Sequence, residues 1–390
     1  MSAPKVRGWC PSAYRPMASG DGLVVRVRPV QGKLTRFQAR GLGVLARKFG
    51  NGLIDLTSRA NLQLRGVTQN GHDALLKELD RLGLLDADAN SEGRLNFVVD
   101  PLCSEAKGDL QAQITTALGD GLRAPEFAPL PSKFGFVVDL GSARHLARVS
   151  GDIRIEMGEG SLIVRADGQT LGLAVPDAGA AVACALELAR WFLVSEGVGA
   201  DGRGRMARHI ASGAMVPRDL IGSTKPNLVA AEPVPGVLPG GVLVAAAFGQ
   251  LTPQALDRLA DAAPIELRIT PWRMVFLTGL RNDQAFATDD ALIIDPTDPV
   301  LRVHACPGAP SCSQASVRTR SIARALAPHV PDGASLHVSG CAKGCAHPHP
   351  TDLTLVGNDG RFDLVKGGLP WDDPIRRQLD QRHAADLIGG

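Results

Sequence analysis

Four cysteines crowd into the last quarter of the chain as Cys306-x5-Cys312, then 28 intervening residues, then Cys341-x3-Cys345. Thiolates in such a set can converge on zinc or on an iron–sulfur cluster. Structural zinc sites favour pairs separated by roughly two to four residues, so the x5 pair favours a [4Fe–4S] cluster. Pro307, Gly308 and Pro310 border the first pair, and Gly340 and Gly344 border the second. Loops of this kind expose backbone N–H groups that hydrogen-bond cluster sulfurs and tune the potential. Cys10, Cys103 and Cys184 are scattered along the chain and read as buried thiols.

A second chemical feature lies between Leu56 and Arg65. Leu56, Ala60, Leu62 and Leu64 alternate with Thr57, Arg59, Asn61, Gln63 and Arg65, the period of a strand. Solvated sheet faces usually mix Lys with Glu, whereas no acid occurs from Thr57 to Arg65. Arginines among neutral hydrogen-bonding groups read instead as a surface for an anion. Across the chain 33 Arg stand against 9 Lys. Arg binds carboxylate and phosphate bidentately and Lys does not, although a genomic base bias gives the same ratio.

These residues need elements to position them, and composition bounds those elements. A chain of 390 residues, 44% hydrophobic and 21% charged, suggests two to three domains at about 150 residues each. A net charge of +2 argues against a dedicated nucleic-acid binder. The N-terminus has no signal-like apolar segment, and the apolar run near Gly241 to Phe248 is far short of a membrane span. The expectation is a soluble, cytoplasmic protein. No Gly-x-Gly-x-x-Gly follows a strand, so no nucleotide site is assigned. Gly20-x-Gly22 and Gly202-x-Gly204 read as turns.

Leu23, Val25 and Val27 alternate with Arg26 and Arg28, so a strand is expected there, ended by Pro29. Thr35 and Gln38 form a capping-box signature for a helix that turns Phe37, Leu42, Leu45 and Phe49 to the core and stops at Gly50. The same grammar returns downstream. A strand begins at Gly241, Thr252-Pro253 opens a helix, and Ile269 to Gly279 aligns without a gap on Leu56 to Gly66. A duplicated strand–helix–strand unit follows. Trp272, Met274 and Phe276 replace Arg59, Asn61 and Gln63, so one copy offers a cationic floor and the other an apolar one. Between the copies, Phe134 to Leu140 reads as a strand, Ala180 to Ser195 as a helix and Gly197 to Arg205 as a loop. Pro226 to Gly241 has linker composition.

Ala305-Cys306-Pro307-Gly308-Ala309 with Cys312, and Ser339-Gly340-Cys341-Ala342-Lys343-Gly344-Cys345-Ala346-His347-Pro348, resemble the cluster signature of the sulfite and nitrite reductase haemoproteins. Thr57 to Gln63 resembles that family's Thr-x-Arg motif, and Leu130-Pro131-Ser132-Lys133-Phe134 its Leu-Pro-x-Lys-Phe motif. The resemblance implies an α+β fold. It consists of two ferredoxin-like half-domains related by a pseudo-twofold, plus two α/β domains, the last carrying the cluster. The implied division is 1–90, 91–225, 226–290 and 291–390. It also implies that Cys345 bridges the cluster to a sirohaem iron where sirohaem is bound. The chain departs from the pattern at two places: Gly135 stands where the reductases carry a second lysine, and Leu95-Asn96 replaces their Arg-Asn pair, with Arg94 displaced by one.

Arg7-Gly8-Trp9-Cys10-Pro11-Ser12 with Pro16-Met17-Ala18-Ser19-Gly20-Asp21-Gly22-Leu23 resembles the precorrin-3B synthase branch. That resemblance implies O2-dependent hydroxylation of precorrin-3A with γ-lactone formation in aerobic cobalamin biosynthesis. Electrons would come from NAD(P)H through a reductase partner protein and the [4Fe–4S] cluster on Cys306, Cys312, Cys341 and Cys345, and a mononuclear non-haem iron is associated with the branch. Arg59 and Lys133, with Asn61, Gln63 and Arg65, are the expected contacts to tetrapyrrole carboxylates; Arg26 and Arg28 are further candidates. The ring would lie on Trp272, Met274 and Phe276. His304, His337, His347, His349 and His209 are candidate iron ligands, with no spacing that singles out a set. Cys10 is a further functional candidate. The alternatives are a sirohaem-dependent sulfite or nitrite reductase and a non-catalytic Fe–S or zinc protein that binds a tetrapyrrole.

Overall fold

The computed structural model describes residues 11–287 and 291–389, so Cys10 and the stretch Arg7-Gly8-Trp9-Cys10 lie outside the described residues. The duplication is visible element by element. Gly22–Val27 and Gly241–Ala246 are matching strands, each paired with a short N-terminal neighbour, Met17–Ser19 and Gly236–Leu238. Thr35 accepts from the Gln38 amide in a complete capping box and opens the helix Arg36–Phe49. Thr252 accepts from the Ala255 amide and opens Pro253–Ala262. Each helix follows a short turn whose central residue has positive φ: Gln31 at 55° and Phe248 at 56°.

The two copies exchange strands. The first sheet runs Met17–Ser19, Gly22–Val27, Leu62–Val67, Ile54–Leu56 and then Gln250–Leu251, contributed by the second copy. The second copy's sheet ends on Lys33–Leu34, contributed by the first. Leu42, Leu64, Leu256 and Leu277 are fully buried in one shared core. Burying that interface is what holds the halves in register, since each alone leaves a sheet edge unpaired.

Leu56 to Arg65 is a hairpin rather than one strand. Ile54–Leu56 and Leu62–Val67 are joined by a turn in which the Thr57 Oγ1 accepts from the amides of Arg59 (3.3 Å) and Asn61 (3.1 Å). Ala60 takes φ of 53°, which reverses the chain. The second copy repeats this with Thr270 accepting from Trp272 and Met274, both at 3.3 Å, and Arg273 at φ 62°. Arg59 therefore projects from a turn, where it can reach a neighbouring domain. Phe37 is also corrected: it is 72% exposed, because the helix buries Ala39, Leu42 and Leu45 instead.

Two further sheets share one topology. Phe97–Val99, Phe136–Asp139 and Ile153–Gly158 run parallel, then Ser161–Ala166 and Leu173–Val175 continue antiparallel. Val303–Ala305, Leu336–Ser339 and Thr351–Asn358 run parallel, then Arg361–Gly368 and Arg376–Leu379 continue antiparallel. The helix Ala178–Val194 packs on the first of these sheets through Ala181, Ala185, Leu188 and Phe192. Among the described residues no helix is long and apolar enough to cross a membrane. The architecture is a mixed α+β fold of two ferredoxin-like halves and two α/β sheets.

Candidate cluster and ligand site

The four cysteines leave the C-terminal ends of two parallel strands. Cys306 follows Val303–Ala305 directly, and Cys341 and Cys345 lie on the loop after Leu336–Ser339. The ends of parallel strands are where α/β sheets present loops and free backbone donors. Gly340 donates its amide to the Cys306 Sγ at 3.2 Å. Gly308 (φ 67°) turns the first loop, which then closes through the Cys312 amide on the Gly308 carbonyl at 2.8 Å. Gly344 (φ 64°) turns the second. A side chain at Gly308 would drive a Cβ to 2.5 Å from Thr319 Oγ1, the group that donates to the Cys306 carbonyl.

The thiols sense one another. Burial pushes Cys306 up, opposed by the Gly340 and Gly308 amides and reinforced by Cys312 and Cys341. Cys345 is the most open of the four at its surface, yet desolvation in the recess pushes its thiol up to about 11, with Cys306, Cys341 and Cys312 adding to it. A cationic iron core reverses this by pairing with thiolate and releasing protons. The recess and the backbone amide donors fit an iron–sulfur cluster.

The N-terminal segment clamps this loop. The Ser311 carbonyl accepts from the Gly20 amide (3.2 Å), the Ser19 hydroxyl (2.7 Å) and Arg65 Nη2 (3.1 Å). A Cβ on Gly20 would meet the Pro310 carbonyl oxygen at 2.6 Å. Arg65 is 5% exposed, and its other contacts go to Asp21, Ser19 and Asp55. In this position Arg65 anchors the cysteine loop. Residue type alone could not separate this role from a carboxylate contact; Asp21 and Asp55, flanking the strand, were the available signal.

Arg59 and Lys133 come together. Arg59 Nη2 donates to the Lys133 carbonyl at 3.1 Å, and a Cβ at Gly135 would stand 3.4 Å from Arg59 Nη1. Asn96 fixes the same loop, donating to the carbonyls of Ser132 (2.6 Å) and Phe134 (3.2 Å). Arg59 and Lys133 are half-buried, as is Gln63, while Asn61 is 6% exposed. Arg26 is buried beside Gln63 in the strand register, and Arg28 donates to the Glu92 carbonyl.

The apolar floor is reduced to one residue. Met274 and Phe276 are buried in the core that joins the second half to the cluster-bearing sheet, and only Trp272 is part-open. Around the cysteines, the His304 and His347 rings stack at 3.9 Å, with His337 and His349 edge-on to His347. His337 is fully buried, and neither ring nitrogen has a hydrogen-bond partner among the described residues. Arg273 donates to the Ala346 carbonyl beside Cys345. His209 is elsewhere, bonded to Ser195 at 2.8 Å between Trp191 and Phe192. Cys103 and Cys184 are buried, and burial pushes Cys184 up to about 11.

Residues 15–82 match the family model for the nitrite/sulfite reductase ferredoxin-like half domain. A precorrin-3B synthase from Sinorhizobium sp is 31% identical, the alignment covering 93% of this chain and 83% of the relative. A ferredoxin–nitrite reductase from Synechococcus elongatus is 24% identical, with 92% and 81% covered. The solved structure of the NirA protein of Mycobacterium tuberculosis superposes with a TM-score of 0.68 at 20% identity, covering 94% of this chain and 79% of that one.

Proposed function

The chain belongs to the precorrin-3B synthase family of the sulfite and nitrite reductase superfamily, and from that premise we propose that it hydroxylates precorrin-3A with O2 and closes the γ-lactone. The stoichiometry needs two electrons and two protons: one oxygen atom enters the macrocycle and the other leaves as water. NAD(P)H is the ultimate donor, acting through a reductase partner. A [4Fe–4S] cluster on Cys306, Cys312, Cys341 and Cys345 supplies one-electron transfer.

The remaining roles fall to this chain's own side chains. Arg59 and Lys133 hold ring carboxylates, and Asn96 keeps the Lys133 loop in place. Trp272 offers the part-exposed apolar surface against which the ring rests. Gly340 and Gly308 donate to the Cys306 sulfur. Such donors favour the more negative, reduced state of a cluster.

The observation that carries this reading is Gly135 lying under the Arg59 guanidinium. A sulfite or nitrite reductase, by the resemblance, places a second lysine there for a small oxyanion. Here that lysine is missing and Arg59 and Lys133 remain, which suits carboxylates on a large ligand over a small oxyanion. The test is anaerobic purification followed by iron, sulfide and visible spectra, then turnover. Iron and sulfide with a broad brown shoulder, and O2-dependent consumption of precorrin-3A, support the proposal. Bound sirohaem bands with nitrite or sulfite turnover overturn it in favour of a reductase.

A further inference from the structure

The second hairpin carries a residue that its turn does not need. Arg273 takes φ of 62° on a bend held by the Thr270 hydroxyl. Its counterpart in the first copy, Ala60, makes the same bend at 53° with only a methyl group. A non-glycine residue in the left-handed region is strained and persists where its surroundings fix it. Here the surroundings are specific. The stem of Arg273 lies in the space that Gly249 leaves open, since a Cβ on that glycine would stand 3.0 Å from Arg273 Cγ and Cδ. The guanidinium then reaches the cysteine-bearing sheet and donates through Nη2 to the carbonyl of Ala346, the residue after Cys345.

Its charge is not neutralised on the spot. That carbonyl is the guanidinium's hydrogen-bond partner among the described residues, and no carboxylate among them stands within ion-pair distance of it. Desolvation and the charge of Arg320 pull the guanidinium below its usual value, with Asp55 opposing them. Asp55 is itself engaged by Arg320 at 2.9 Å and by Arg65 at 3.5 Å. His304, His337 and His347 also face Arg273, and burial leads the causes that hold all three below the ordinary imidazole value. They bring no negative charge. An arginine side chain stays protonated throughout the working range. Arg273 is therefore a fixed cation in desolvated surroundings, bonded to the residue beside a proposed cluster ligand.

A [4Fe–4S] centre on four thiolates is anionic, and its potential depends on the charge around it. Reduction adds one more negative charge. A fixed cation nearby favours that form, and its effect grows where water is excluded. The Gly340 amide acts on the Cys306 sulfur. Arg273 acts at the other loop, where Cys345 sits.

We propose that Arg273 is a positioning residue for electron entry, pinning the Cys345 loop through the Ala346 carbonyl and raising the reduction potential of the cluster. One electron enters from an external donor; no bond breaks and no proton moves. The proposal rests on Cys306, Cys312, Cys341 and Cys345 holding the cluster. It stands whether or not the chain oxygenates a tetrapyrrole.

The test is an anaerobic potentiometric titration of the full chain with dithionite and redox mediators, following the EPR signal of the reduced cluster. Arg273→Gln removes the charge and keeps an amide donor, while Arg273→Asn removes it with a residue suited to positive φ. Each should cut the reduced-to-oxidised ratio at a fixed potential at least tenfold, a downward shift of about 59 mV or more for one electron. Arg273→Lys keeps the charge and should stay within about threefold of the parent. A potential unchanged in the uncharged variants, or lowered equally in Arg273→Lys, overturns the proposal. Loss of the cluster from both uncharged variants also overturns it, marking a purely structural role. Iron and sulfide on the same samples separate the two assignments. A parent lacking both removes the cluster reading and this proposal with it, whereas a replete parent with unshifted variants removes this proposal alone.

Discussion

Arg65 Nη2 donates to the Ser311 carbonyl at 3.1 Å, linking the first half-domain to the residue before Cys312. The same guanidinium pairs with Asp21 at 3.1 Å and Asp55 at 3.5 Å, all with side chains at most 11% exposed. Asp55 also pairs with Arg320 at 2.9 Å, past the first cysteine loop. The cluster loop is thus held by a buried charge network that begins in the first half-domain.

Truncating Arg65 leaves buried carboxylates with one partner fewer, a loss of about 3–5 kcal/mol. Arg65→Lys keeps the charge but loses the forked geometry. We expect Arg65→Lys to fold and to retain less than half of the parent's iron and sulfide after gel filtration. Full cluster retention would show that the Ser311 contact is incidental.

Gly20→Ala tests the same clamp by sterics, since its Cβ would meet backbone at 2.6 and 2.9 Å. Gly93→Ala is the control: the glycine is helical with open space around it, so alanine should stabilise by roughly 0.5–1 kcal/mol. Cluster loss in Gly20→Ala with unchanged far-UV circular dichroism is expected. Equal cluster content in both variants would contradict the clamp.

Arg59→Ala and Lys133→Ala should each raise KM for precorrin-3A at least tenfold, about 1.4 kcal/mol, with a smaller change in kcat. Arg65→Lys should leave KM within about threefold in cluster-replete protein. A KM effect confined to Arg65 would instead assign the carboxylate contact to Arg65.

The hairpin shows where the sequence was legible and where it was not. The duplication, both helix caps and the cysteine loops could be read because each has a local chemical signature: Thr35 with Gln38, Thr252 with Pro253, glycine beside cysteine. The Thr57–Asn61 turn could not, because its positive-φ residue is Ala60, which carries no turn signal, and the alternation continues across it. Phe37 lies outside the core because three-four periodicity does not say which stripe meets it.

His304 and His337 predict an acid limb. Burial, with Arg273 and neighbouring histidines, holds His304 down to about 2; burial, with His347 and Arg273, holds His337 down to about 4. Unfolded imidazoles titrate near 6.5, so below that pH the unfolded chain takes up protons first. This contribution to stability is present above about 6.5 and is lost as the pH falls toward those folded values. His337→Leu removes two unpartnered buried nitrogens and should stabilise by about 1–2 kcal/mol at pH 5 while flattening the limb. Thermal midpoints from pH 4 to 8 decide it: an acid limb unchanged by the substitution contradicts the assignment.

The central claim is oxygen insertion into a tetrapyrrole held by Arg59 and Lys133, and mass spectrometry of the product formed under isotopically labelled O2 tests it most directly. The account predicts one labelled atom in the lactone product from the cluster-replete chain, with product formation suppressed in Arg59→Ala at low substrate. Product without label, or no conversion of precorrin-3A by cluster-replete, reduced protein, would contradict it.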